Sequence, residues 1–300
     1  MKRAVILGVA TLSIVLGAPA AHGNAAAKTG SVCGARVGTP VHVSHVIWIW
    51  FENHSAGEII GSAAAPRMTA LARSCGVASN YFAVAHPSLP NYIAATSGDT
   101  QGVTDDGPPV EHRLSAVSIF EQAKSARSYE ESMPAPCDRN DVYPYAPKHN
   151  PEIYYLHLQE ACTKNDLALG TTAKGPFASA LDSNTLPAFS FVTPNLCNDM
   201  HDCPVATGDA WLGRWIARIT TSPAYRAGHT VVFIAWDEDD HSADNHVPLI
   251  VVSPWTKPGT RATAHLTHYS LLRTTEELLG LRGRLGQAAG APSLRAAFGL

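Results

Sequence analysis

Three stretches of this chain are apolar over nearly their whole length, and two of them stop at a cluster of polar residues. Residues 41–51 (VHVSHVIWIWF) end at Glu52-Asn53-His54-Ser55, residues 229–236 (HTVVFIAW) end at Asp237-Glu238-Asp239-Asp240, and residues 246–253 (HVPLIVVS) follow closely behind. Continuous runs of β-branched and aromatic residues belong to strands covered on both faces, which occur almost only in parallel sheets sandwiched by helices. Weaker strand patterns lie at 75–85, 126–133 and 187–193 (PAFSFVT), the last ending at Pro194-Asn195. Helical patterns fall between them at 64–75, 91–97, 114–125, 209–221 and 269–279. Strands alternating with helices predict an α/β fold, a three-layer α/β/α sandwich around a mostly parallel sheet. In such sheets the ligand crevice lies beyond the carboxyl ends of the strands. Polar clusters at several strand ends therefore predict one shared site.

The N-terminus constrains where the chain works. Lys2 and Arg3 precede an apolar run from Ala4 to Gly17 and the small residues Ala18-Pro19-Ala20, the pattern of an export signal. The expected organisation is a signal peptide at 1–20, a loose Ala/Gly-rich lead-in at 21–40 and a single domain at 41–300. The run is short for a membrane span and no later one approaches ~20 residues, so a secreted protein without stable membrane insertion is expected. Six cysteines in an oxidising compartment read as disulfides. No Cys-x-x-Cys pair suggests structural zinc, and the preferred pairing is sequential: Cys33 with Cys75, Cys137 with Cys162, Cys197 with Cys203.

Charge excludes one broad class of partner. The formal net charge is −3, and −5 once residues 1–20 are removed. With no basic stripe to follow a phosphate backbone, nucleic-acid binding is not expected. Fourteen histidines instead direct attention to proton-transfer chemistry.

Ser88 sits in His86-Pro87-Ser88-Leu89-Pro90-Asn91-Tyr92, where Pro90 suits the first turn of a helix. An N-cap role would explain this serine. The same geometry would also present its hydroxyl to an anion drawn to the helix N-terminus. A serine nucleophile needs activation, and no G-x-S-x-G elbow surrounds it. Oxygen ligands Glu52 and Asn53 from one strand end, and Asp237 and Glu238 from another, could hold a divalent cation beside it. Asp239 and Asp240 read as a solvated turn. His201, flanked by Asp199 and Asp202 inside the Cys197–Cys203 bracket, is a candidate proton donor. Lys148 and His149 could contact phosphate oxygens. His246 opens a strand and reads equally as a core residue. Trp211 and Trp215 share a helix face and read as packing groups.

Together, Glu52-Asn53-His54-Ser55, HPSLPNY, Lys148-His149-x-Pro151, NDMHD, Gly208-Asp209-Ala210-Trp211-Leu212 and Trp236-Asp237-Glu238-Asp239-Asp240 resemble the bacterial phosphoesterase family. The resemblance runs from about Val43 to Leu281 and is nearest to small secreted acid phosphatases of mycobacterial type. It implies an alkaline-phosphatase-like fold, Ser88 as a phosphorylated nucleophile, and one divalent metal ion on Glu52, Asn53, Ser88, Asp237 and Glu238. It also implies that Asn91 contacts the phosphate, with His149, His201, Lys148 and Asp202 serving substrate binding and leaving-group protonation. The expected activity is hydrolysis of small phosphomonoesters or phospholipid head groups by a monomer. The alternatives are a phospholipase C or other phosphodiesterase, and a non-catalytic exported phosphate- or cation-binding protein.

Overall fold

The computed structural model describes Met1 and residues 32–300; the expected signal peptide and most of the lead-in lie outside the described residues. Among the described residues ten strands form: β1 His45–Phe51, β2 Gly76–Ala78, β3 Tyr81–Phe82, β4 Ala126–Glu130, β5 Asp166–Ala168, β6 Phe189–Thr193, β7 Thr230–Trp236, β8 Leu249–Val252, β9 Thr260–Ala262 and β10 Leu266–Thr267. Eight make one sheet in the order β5-β4-β6-β1-β7-β8-β2-β9, and β10 pairs with β3. All pairings in the large sheet are parallel except those of β8 with β7 and β2. The carboxyl ends of β4, β6, β1 and β7 therefore share one edge.

The two longest strands are central neighbours, and β1 is buried from Val46 to Phe51 as β7 is throughout. Alternation separates the two faces. Trp50 packs against Tyr92 and His268, and Trp48 Nε1 donates to Thr275 Oγ1 at 2.9 Å, so one face is covered by the helices Ser88–Ser97 and His268–Leu278. Phe51 meets Trp211 on the other face, where the helices Val205–Thr221 and Pro66–Ser74 pack together. The result is the expected three-layer sandwich with helices on both faces.

Local chemistry explains the details. Asp209 accepts from the backbone N–H groups of Arg67 and Met68 at 2.9 and 2.8 Å, satisfying the first turn of Pro66–Ser74. A Cβ on Gly208 would stand 2.6 Å from the Met200 side chain, so glycine lets this helix touch the 197–203 loop. The Gly208-Asp209 pair is thus a packing and capping device. The disulfides join Cys33–Cys75, Cys137–Cys162 and Cys197–Cys203, as the sequential pairing had it.

Other expectations shift. Of the helix expected at 114–125, only Ile119–Gln122 forms, because Leu114 is drawn into backbone pairing with Tyr154 and Leu156. The short strands β5 and β9 had no readable alternation, and the helix Pro176–Asp182 had too few residues to declare a period. Ser88 is the first residue of its helix; the N-cap is Pro87.

Candidate active site

The site is assembled at the shared carboxyl edge, and Ser88 stands at its centre. Its hydroxyl, buried at 1% exposure, donates to Glu52 Oε2 at 3.0 Å and to Glu238 Oε1 at 3.2 Å as alternatives. Glu52 directly follows β1 and Glu238 lies two residues beyond β7. The backbone N–H of Asn53 donates to Asp237 Oδ1 at 3.1 Å, tying the two strand ends together. Asn53 has φ 54°, a left-handed turn that asparagine tolerates better than most residues.

Four carboxyl groups, Glu52, Asp199, Asp237 and Glu238, are buried around this hydroxyl. Burial pushes Glu52 well above the usual carboxylate range, and Asp237 and Asp199 push it further. Burial raises Asp199 likewise. Asp237 is pushed up to about 7 by burial and the adjacent Glu238, and Glu238 up to about 7 chiefly by burial. Such crowding is costly unless something positive enters. Asp237 Oδ2, Asp199 Oδ2 and His149 Nε2 are buried with no hydrogen-bond partner among the described residues. Hard oxygen donors with lone pairs to spare suit a divalent cation, so the chain carries a possible metal-binding group. Ligand atoms of Glu52, His149 and His201 also fall within 4.8 Å of one another.

The histidines are held by carboxylates. His149 Nε2 lies 3.3 Å from Glu52 Oε2, and its Nδ1 3.3 Å from Asp199 Oδ2. Burial, aided by Lys148 and His201, holds His149 well below the usual imidazole range. Asp202 engages His201 Nδ1 at 2.7 Å, leaving Nε2 for a ligand, and the rings of His149 and His201 are 5.8 Å apart. Asp199 Oδ1 accepts the backbone N–H of His201 at 2.8 Å. Lys148 reaches the same cleft: burial would lower its ammonium group, but the Asp106 hydrogen bond and the carboxylates of Glu52 and Asp237 leave it raised.

Asn91, expected to contact the phosphate, has its side chain engaged with the loop ahead of Ser88. Its Oδ1 accepts from Val84 and Ala85 N–H, and its amide donates to Ala85 and Pro87 carbonyls, at 2.9–3.2 Å. Both hydrogens are used on the loop that delivers Ser88, so Asn91 fixes the backbone ahead of this serine. The helix offers fewer anion donors than its position suggested. Leu89 N–H is taken by Asp106 Oδ1 at 2.9 Å, and Pro90 has none. Asp239 is not solvated: it is 1% exposed and folds its loop by accepting from His241, Ala243 and Asn245 N–H. Asp240 is exposed as expected. His246 packs on Phe82 and bonds the Ser79 carbonyl, away from Ser88.

Four supporting residues escaped the sequence reading. Tyr92 donates to Glu52 Oε1 and His86 Nδ1 pairs with Glu238 Oε2, so each carboxylate beside Ser88 has its second oxygen held. Both residues lie in the HPSLPNY segment, at −2 and +4 from the serine, a signal that could have been used. Asp106 joins Leu89 N–H to Lys148, whose Nζ is 2.8 Å away. Glu131 accepts from Asn195 N–H, Asn198 Nδ2 and Trp211 Nε1 at 2.8–3.1 Å, pinning the loop that carries His201. Nothing local in the sequence marks Asp106 or Glu131.

The profile of the Phosphoesterase family matches residues 62–282. The chain belongs to this family. A phosphatidylinositol-3-phosphatase of Mycobacterium tuberculosis is 31% identical over 266 residues, 85% of this chain and 83% of that protein. An acid phosphatase of Aspergillus fumigatus is 30% identical over 249 residues, 78% of this phosphoesterase but 54% of the fungal protein. Among solved structures, a Vibrio parahaemolyticus protein of the alkaline phosphatase superfamily aligns with TM-score 0.58 at 11% identity, covering 86% of this chain and 72% of that one. A phosphonate monoester hydrolase of Silicibacter pomeroyi aligns with TM-score 0.51 at 15% identity, covering 85% and 76%. These two likenesses show that the phosphoesterase shares its fold with both structures.

Proposed function

We propose that this phosphoesterase is an exported, metal-assisted phosphomonoesterase acting through a phosphoserine on Ser88. One observation carries the reading: a buried serine hydroxyl at the start of a helix lies within hydrogen-bond distance of carboxylates from two separate strand ends. A serine needing only to cap a helix would have no use for Glu52 and Glu238. Relatives bearing the names acid phosphatase and phosphatidylinositol-3-phosphatase support the substrate class, and three disulfides support export.

Glu52, Asn53, Ser88, Asp237 and Glu238 would hold a single divalent ion, and the unpartnered Asp237 Oδ2 fits that assignment. Such an ion, when bound, lowers the pKa of the hydroxyl and neutralises phosphoryl charge. Ser88 Oγ forms a bond to phosphorus as the ester P–O bond breaks, and its proton passes to a carboxylate already accepting its hydrogen bond. Lys148 and His149 meet the phosphoryl oxygens, supplying preorganised positive charge and a donor. His201, oriented by Asp202, protonates the departing oxygen. Water then cleaves the phosphoserine, and His201 returns as base for that step.

The test is Ser88→Ala with p-nitrophenyl phosphate and a matched diester, alongside acid trapping of labelled phosphate on the wild-type protein. Loss of turnover in a folded variant, monoester preference and label recovered on Ser88 are expected. Retained turnover or absence of a trapped phosphoserine would defeat the mechanism, and diester preference would replace the substrate class.

A further inference from the structure

Beside the catalytic cleft lies a second cavity, of about 670 Å³, lined among others by Pro108, Val110, Arg113, Arg139, Asp141 and Ile153. It is separated from Ser88 by very little. Leu89, next to the serine, donates to Asp106, and Pro108 is two residues on, at most ~7 Å of extended chain. Tyr154 OH donates to the Gly107 carbonyl at 3.0 Å, holding the backbone between Asp106 and Pro108.

The guanidinium groups on its wall are not held in direct ion pairs among the described residues, and Arg139 acts on Asp166 only through its field. Arg113 and Arg139 are both exposed, and neither forms an ion pair with a carboxylate among the described residues. Asp141 is the one acid on the wall, so the lining carries a net positive charge. The arginines are nevertheless on fixed backbone. Leu114, following Arg113, bonds Tyr154 and Leu156 through its N–H and carbonyl at 2.9 and 2.8 Å. The Arg139 segment is held by the Cys137–Cys162 disulfide and by Tyr145 OH donating to the Asp138 carbonyl at 2.7 Å. Guanidinium groups are suited to phosphate oxygens by their paired donors.

The same two loops carry three exposed large apolar side chains, Val110, Val142 and Tyr143. Val110 is 77% exposed and Tyr143 69%, with Val142 between Tyr143 and the cavity wall at Asp141. Apolar groups beside unpaired arginines, next to a phosphoryl-transfer centre, suit an amphiphile better than a small soluble ester.

We propose that this cavity is a substrate subsite in which Arg113 and Arg139 bind the second phosphate of a phosphorylated phospholipid, while Val110, Val142 and Tyr143 rest on the bilayer that presents it. The proposal depends on the phosphomonoesterase reading given above and adds to it the means of selecting a lipid. The diester phosphate that joins the head group to its glycerol enters the cavity, and the monoester phosphate enters the cleft at Ser88.

The test compares the wild type with R113A/R139A and with V110D/Y143D on three substrates. These are phosphatidylinositol 3-phosphate in phosphatidylcholine vesicles, soluble inositol 1,3-bisphosphate, and p-nitrophenyl phosphate. R113A/R139A should lower kcat/KM roughly tenfold or more on the vesicle lipid and on the soluble bisphosphate, mainly through KM. V110D/Y143D should lower the vesicle rate alone. Both variants should keep p-nitrophenyl phosphate turnover within about twofold, which also reports that they fold. A parallel fall on all three substrates, or an unchanged vesicle rate in both variants, overturns the subsite. If R113A/R139A impairs the bisphosphate while V110D/Y143D leaves the vesicle rate unchanged, the lipid assignment is overturned. Failure of the wild type to cleave p-nitrophenyl phosphate would strike the enzymatic reading itself.

Discussion

Two groups of buried carboxyls lie along the same edge of the sheet, and only one has the makings of an active site. The first, Glu52, Asp199, Asp237 and Glu238, surrounds Ser88. The second, Glu130, Glu152 and Asp166, lies by β4 and β5, where Ser128 pairs with Asp166 in parallel register. Burial raises its acids too: Glu130 well above the usual range, Glu152 to about 8 and Asp166 to about 7. Oxygens of all three lack hydrogen-bond partners among the described residues, as does Asn150 Oδ1. By perturbed carboxyls alone the two groups would be hard to tell apart. The difference lies in what accompanies them. The first has a serine at a helix start, a lysine and two histidines; the second has Asn150, which donates to Asp166 Oδ2 at 2.9 Å and to Tyr145 OH at 3.1 Å. Desolvated acids become a catalytic device when a nucleophile and positive charge face them, and otherwise remain a proton-holding part of the core.

The sharpest way to break this contrast is isosteric neutralisation on each side. Asp237→Asn should lower kcat/KM on p-nitrophenyl phosphate on the order of a thousandfold, since it removes charge at the reacting centre. Glu152→Gln should leave activity within about threefold, in the range of a substitution remote from chemistry. Comparable losses in both would show the second group to be coupled to catalysis.

A second measurement needs no turnover. A divalent cation bound only by the native site, at about a hundred times its Kd, stabilises by about 2.7 kcal/mol. That corresponds to a rise in Tm of roughly 5–11 °C. The rise should disappear in Glu52→Gln and persist in Glu130→Gln. A shift surviving Glu52→Gln would place the cation elsewhere, and chelation that leaves activity intact would remove it from the mechanism.

The second group also makes its own prediction about pH. Its carboxyls bind protons more tightly when folded than unfolded, so the native state holds more protons between about pH 4 and pH 8. Stability is therefore full at acid pH and falls as pH rises through the folded values near 7 and 8. Glu152→Gln removes one ionisation, so its Tm relative to wild type should climb by several degrees between pH 5 and pH 8.5. Arg139 and Asp138 also act on Asp166 in opposite senses, so the Glu152 variant is the cleaner probe. A Tm difference constant with pH would refute the assignment.

How much of this could be read beforehand follows from how local each signal is. The β1 and β7 runs, and the residues immediately after them, are contiguous in sequence, so the central strands and three of the four acids around Ser88 were visible. The second group was not. Glu130 ends a short strand, Glu152 lies in a 3₁₀ turn and Asp166 opens a three-residue strand, so only the β4–β5 pairing brings them together. The same holds for Asp106 and Glu131, whose partners are 17 to 80 residues away. Asn91 illustrates a different limit of local signals. A motif gives a residue's place beside Ser88, while its four bonds to the 84–87 backbone depend on the fold of that loop.

The smallest expected effect concerns the loop that distinguishes the first group by supplying His201. Replacing Cys197 and Cys203 with serine opens a short loop, costing about 2 kcal/mol if the chain-entropy account applies. Glu131 still holds Asn195 and Asn198, so the loop should keep its course but lose some precision at Asp199 and His201. The consequence depends on the leaving group. p-Nitrophenolate departs with little need for a proton, whereas an alkoxide requires one. kcat for an alkyl phosphate such as glycerol 2-phosphate should thus fall roughly threefold to tenfold, with p-nitrophenyl phosphate nearly unaffected. Equal losses on both would mean that the disulfide supports phosphate binding through His149 and Asp199, and His201 would lose its place as proton donor.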